Sequence, residues 1–244
     1  MARQQGNNPI TGTIDGFSFY YNKEHGFLMR RKTGPTRKQV KTDSAFNLTR
    51  RNNSEFGRAS SYGKLIRRGF HEMTRHCKDG TMNTRLSQRL REIMKMDNES
   101  EWGKRDLRKD NLKIFEHFEW DARSLSRQYF ELPAVIKYRN GCLEAIAGIS
   151  LKTKLKGADS WKLYSIAVEV DFVSDKVSAD VQQSDVYAFE KGDFAESFTH
   201  YCKDDGVLFY GMCIVWHSYD ATINDYKPLK GEHVNAGFIK YVER

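Results

Sequence analysis

Apolar positions alternate with polar ones at the front of the chain, change to a helical spacing, and return to alternation for the second half. Phe17, Phe19 and Tyr21 are spaced by two, Asn22-Lys23-Glu24-His25-Gly26 is turn-like, and Phe27 to Lys32 returns. This predicts a β-hairpin within residues 12–32. Thr33 to Lys41 contains Gly34-Pro35 and reads as a loop or extended arm. Asp43 or Ser44 is suited to cap a helix opening at Ala45. Phe56, Ala59, Gly63, Ile66, Phe70, Met73 and Cys77 then recur at intervals of three and four, which is one face of an α-helix. Lys78-Asp79-Gly80 ends it. Met82, Leu86, Leu90 and Ile93 predict a second amphipathic helix. Both stripes read as ordinary core packing.

Asp97 to Arg108 is polar and irregular and reads as a soft boundary. Beyond it the period falls to two. Leu112, Ile114 and Phe118 suggest a strand. Ala134–Tyr138 and Cys142–Leu151 flank Asn140-Gly141, a strong hairpin signal. From Ser165 to Val173, Ile166, Val168, Val170 and Phe172 face one way, and Glu169 and Asp171 the other. Val207–His217 follows an Asp204-Asp205-Gly206 turn and is apolar on both faces, hence a central strand. Ala236–Val242 is a last strand. The expected fold class is α+β. An N-terminal hairpin with a basic extended arm (1–42) and basic amphipathic helices (43–97) precede a β-rich domain (108–244). That domain is expected to be a mostly antiparallel sandwich or a partly open barrel.

With 39% apolar and 30% charged residues among 244, the chain is globular rather than disordered. Its first residues hold no apolar stretch, so no secretory leader is expected, and no run is long enough for a membrane span. Cys77, Cys142, Cys202 and Cys213 are far apart, which suits free thiols and a cytoplasmic location. The net charge of +8 is unevenly spread. Residues 1–100 hold 20 Lys and Arg against 9 Asp and Glu, and residues 161–244 hold 8 against 14. Such a split suggests a polyanion, or contact with an acidic surface of another copy; a solvated basic face is the plain alternative.

Catalytic and metal motifs are missing. His200-x-Cys202 and Cys213-x-x-x-His217 resemble ligand pairs. A hairpin turning at Asp204–Gly206, however, sets Cys202 opposite about Leu208 and Cys213 opposite about Ser197. On a strand Cys213 and His217 stand about 13 Å apart, too far to share one ion. His71-Glu72 with His76 misses the metalloprotease spacing. There is no Gly-x-Ser-x-Gly elbow and no phosphate-binding glycine loop. Glu169 and Asp171 read as a solvent-facing strand surface rather than an acid/base pair. No catalytic residue, metal or cofactor is expected. The best candidate surface is basic: Arg30, Arg31, Lys32, Arg37, Lys38 and Lys41 on the extended segment, then Arg50, Arg51, Arg58, Lys64, Arg67 and Arg68 on helix. Guanidinium groups bind phosphates or carboxylates bidentately, and Tyr20, Tyr21 and Phe27 offer stacking faces.

The segments Gly12-Thr-Ile-Asp-Gly-Phe-Ser-Phe-Tyr-Tyr21, Arg30-Arg-Lys32, Val40-Lys-Thr-Asp-Ser-Ala-Phe46 and Ser54-Glu-Phe-Gly-Arg-Ala59 resemble the opening of a family of uncharacterised Bacteroidetes proteins. The likeness implies a bacterial, non-secreted protein and transfers no functional residue. The expected function is non-enzymatic self-assembly: a homo-oligomer without a membrane partner, whose basic N-terminal part contacts neighbouring subunits and nucleic acid. Sequence-independent nucleic-acid binding is the alternative.

Overall fold

Asn22 turns the N-terminal hairpin. Its Oδ1 accepts from the backbone N–H groups of Glu24 at 2.8 Å and His25 at 3.0 Å, and Gly26 supplies the left-handed backbone (φ +74°) that closes the turn. The computed structural model describes residues 2–4, 8–115, 117–151, 154–203, 206–231 and 233–243. The chain divides after Arg50 into two units, 1–50 and 51–244. In the first, β1 (Ala2–Arg3), β2 (Gly12–Ile14), β3 (Phe17–Asn22) and β4 (Gly26–Arg31) form an antiparallel sheet in the order β1-β4-β3-β2. The expected extended arm is instead a short helix, α1 (Arg37–Thr42), because Thr36 and Gln39 form a reciprocal capping box. Asp43 accepts from Ala45 N and starts a 3₁₀ turn at Ser44–Phe46.

A long helix, α2 (Asn47–Gly69), leads into α3 (His71–His76) and α4 (Met82–Met94). The predicted stripe is buried from Ala59 to Cys77, but Phe56 is 55% exposed. α2 ends at Gly69, where the sheet comes so close that a side chain has no room. A β-carbon on Gly69 would lie 2.2 Å from Val168 Cγ1.

The stretch expected as a boundary is instead bonded onto α2. Glu55, fully buried, accepts from Arg105 Nε at 2.7 Å, Arg105 Nη2 at 2.8 Å and Gly103 N at 2.8 Å. Tyr62 donates to Asp106 Oδ1 at 2.6 Å. The strand expected near Leu112 is also a helical turn, α5 (Lys109–Leu112), and only β5 (Phe118–Glu119) is extended.

The remaining strands are β6 (Phe130–Arg139), β7 (Cys142–Leu151), β8 (Ser160–Asp171), β9 (Lys176–Gln183), β10 (Tyr187–Ala188), β11 (Gly192–Tyr201), β12 (Val207–Asp220), β13 (Asp225–Pro228) and β14 (Ala236–Val242). The β6–β7 hairpin turns at Asn140-Gly141, both at positive φ (50° and 76°), as its sequence predicts. Seven strands form one sheet, in the order β10-β8-β12-β14-β5 with β9 on β8 and β13 on β12; β11-β7-β6 form a second. The fold is α+β and sandwich-like, with no closed barrel among the described residues. Helix residues Ile66, Phe70, Met73, Leu86 and Leu90 pack on Ile166, Val168, Phe209 and Val215. The opposite face of those strands, through Leu163, Ala167, Leu208, Met212 and Ile214, packs on Leu143, Ile149 and Phe198 of the three-stranded sheet. This explains why β12 is apolar on both faces.

One expected pairing is overturned. β11 and β12 do not pair with each other as a hairpin: β11 pairs with β7, and β12 lies between β8 and β14. Asp204 and Asp205 themselves lie outside the described residues.

Gly211 on β12 is a second place where the helices press close to the sheet. A β-carbon there would meet Phe70 Cε1 at 2.6 Å and Ile239 Cγ2 at 2.9 Å. Gly211→Ala is expected to cost about 1–3 kcal/mol through overpacking. A thermal melt of the variant equal to that of the parent would contradict this contact.

Candidate functional site

The cations singled out in the sequence are divided between the two units. In residues 1–50 the register of β2, β3 and β4 gathers Ile14, Phe17, Phe19, Tyr21, Phe27 and Met29 on one sheet face, with Arg31 opposite Phe17. Ile14, Phe17 and Tyr21 stay exposed (52%, 38% and 59%). On the other face the Arg30 guanidinium lies 5.5 Å over the Tyr20 ring. Lys32 follows, and the Thr36 cap presents Arg37, Lys38 and Lys41 on α1, all exposed. Arg50 is committed internally: its Nη1 donates to Val40 O at 2.9 Å and Asp43 O at 2.8 Å, which locks the turn before α2.

In residues 51–244, Arg58 is likewise committed, not free for a partner. Its guanidinium donates to Gly103 O at 2.7 Å, Arg105 O at 3.0 Å and Ser54 Oγ at 3.0 Å. Arg67 is half-buried, and burial holds its guanidinium below the usual range. Arg51 and Arg68 are exposed.

Arg68 borders a cleft of about 680 Å³ with Glu169, Asp171, Lys176, Ser178 and Lys203. Glu169 corrects its sequence reading: it is 5% exposed, not solvent-facing, and accepts from Lys203 N at 2.8 Å and Ser178 Oγ at 3.3 Å. Asp171 is drawn below the ordinary carboxylate range by bonds from Ser174 Oγ and the N–H groups of Val173 and Ser174. That is turn chemistry at the end of β8, and it splits the two carboxylates into separate roles.

Between the sheets lies a polar chain with no signature in the sequence. His200 Nδ1 is 2.9 Å from Asp180 Oδ2, and its Nε2 is 2.8 Å from Ser165 Oγ, which in turn is 2.8 Å from Tyr210 OH. The order of groups matches a nucleophile relay. Ser165, His200 and Tyr210 are, however, all fully buried, so the hydroxyl cannot meet a substrate. The chain pins β11 of one sheet to β8, β9 and β12 of the other. The two metal-like pairs also separate. His200 belongs to this chain, whereas Cys213 packs beside Cys77 in the helix-facing core and His217 Nδ1 sits 3.0 Å from Val215 O.

A second surface was hidden by averaging charge over the tail. Residues 171–196 hold seven Asp and Glu against two Lys. They run through the β8–β9 turn, β9, β10 and the start of β11. Side chains knit these strands together: Asp180 to His200, Gln182 to the Thr199 backbone, Tyr187 to Glu196. Along this stretch Val173 in the β8–β9 turn, Val181 on β9 and Val186 before β10 are each exposed (97%, 42% and 39%) at separate places. Counting charge in short windows would have found this side of the unit.

No helix among the described residues is long and apolar enough to cross a membrane. The chain matches no family model, no curated protein and no solved structure.

Proposed function

We propose that the chain is a non-enzymatic structural protein that assembles with copies of itself, with residues 1–50 making the contact. One observation carries this: an apolar sheet face that leaves Ile14, Phe17 and Tyr21 in water, beside a run of exposed cations from Arg30 to Lys41. A small sheet gains stability when such a face is covered, and aromatic and arginine side chains are enriched where proteins meet. The reading places the protein in the cytoplasm, where its separate cysteines stay reduced.

Size-exclusion with light scattering is expected to show masses well above one chain, falling as salt screens the contact to a Debye length of about 3 Å at 1 M. A monodisperse monomer at high protein concentration would sink the proposal. The aromatic and cationic mixture also favours a second reading, sequence-independent nucleic-acid binding. It predicts a raised ratio of absorbance at 260 to 280 nm that falls steeply with salt.

A further inference from the structure

We infer that residues 1–50 of one copy dock on the β9–β10–β11 side of a second copy; this rests on the assembly reading above. The two surfaces are complementary in charge. Residues 30–41 hold six cations and no acid, whereas residues 171–196 hold seven acids against two lysines. On the basic unit the sheet face beside those cations also leaves Ile14, Phe17 and Tyr21 exposed. Opposite potentials steer two partners together and set the docking orientation.

The acidic side also holds an edge strand. β9 pairs by backbone with β8 alone among the described residues, and β11 meets it through the side chains of Asp180 and Gln182 rather than through a strand ladder. An edge without a second ladder is a place where another chain can add contacts. Pairing like with like is disfavoured, because two basic units or two acidic sides would bring equal charges face to face. The contact is therefore heterologous: each copy uses one surface to hold the next, which yields a closed ring or a filament.

Charge reversal on each side tests this with exposed residues that carry no internal bond described above. One variant carries Arg37→Glu, Lys38→Glu and Lys41→Glu; the other carries Asp185→Lys, Glu190→Lys and Asp193→Lys. Circular dichroism checks that both fold. In light scattering of nuclease-treated protein, each alone is expected to associate at least roughly tenfold more weakly than the parent. An equimolar mixture is expected to regain assembly, since native meets native and reversed meets reversed. If the parent assembles and the acidic-side variant assembles equally well, this docking site is wrong while self-assembly stands. If both variants lose assembly and the mixture does not regain it, the pairing is also wrong. A parent that stays monomeric overturns both readings.

Discussion

Glu55→Ala should destabilise residues 51–244 by about 3 kcal/mol, the largest single-residue loss expected outside the apolar core. The carboxylate is fully buried and is held by the Nε and Nη2 of Arg105 and by Gly103 N. These bonds, led by the Arg105 side chain, keep its carboxyl below the ordinary range. Removing it leaves the guanidinium without its anion and a backbone donor without an acceptor. Arg105 keeps 20% of its side chain in water, which sets the loss at the lower end for a broken buried pair. Glu55→Gln preserves shape and one acceptor and should lose less. Urea titration reads the effect as a lower midpoint at unchanged slope. A loss below about 1 kcal/mol would mean that the loop 97–108 stands without this clamp.

Mild acid should weaken the same unit before its carboxylates titrate. His76, His200 and His217 are all buried or nearly so, and burial lowers each below the ordinary histidine value of 6.5. Local charges adjust this: Glu72 raises and Arg75 lowers His76, Asp180 raises His200, and Lys162 lowers His217. The folded chain thus binds fewer protons near pH 6 than the unfolded chain. Stability is full above 6.5 and declines as pH falls towards the folded values. Each histidine can remove up to about 1.4 kcal/mol per pH unit, so the three together remove at most about 4 kcal/mol between pH 6.5 and 5.5. Glu55, Asp79 and Asp97 lie below their ordinary values, so their contribution is lost only in stronger acid. Equal unfolding free energies at pH 7.5 and 5.5 would refute the account.

Periodicity made much of the architecture legible. The Asn140-Gly141 turn, the two-faced β12 and the stripes of α2 and α4 depend on local spacing, which a single sequence carries. What stayed hidden depends on partners far along the chain. Whether β11 pairs with β12 or with β7 changes nothing in either strand's pattern, so spacing alone cannot choose between the two partners. Phe56 fits the α2 stripe by spacing but faces water, because periodicity gives a face and not where cover ends. Glu169 alternates as a surface residue would, and its burial depends on neighbours such as Lys203 and Ser178 that lie elsewhere in the chain. For the candidate site, the exposed cations of residues 30–41 were readable as charge. That Arg50 and Arg58 are taken up by backbone carbonyls was not, since those carbonyls belong to no motif.

Because one sheet carries a core on each face, neither core can be lost alone. Stripping away the helices exposes Ile166, Val168 and Phe209 on the very strands that hold Leu163, Ala167 and Leu208 against the other layer. The energetic link between the layers is thus backbone itself, and residues 51–244 are built to melt as one cooperative, all-or-none body rather than layer by layer.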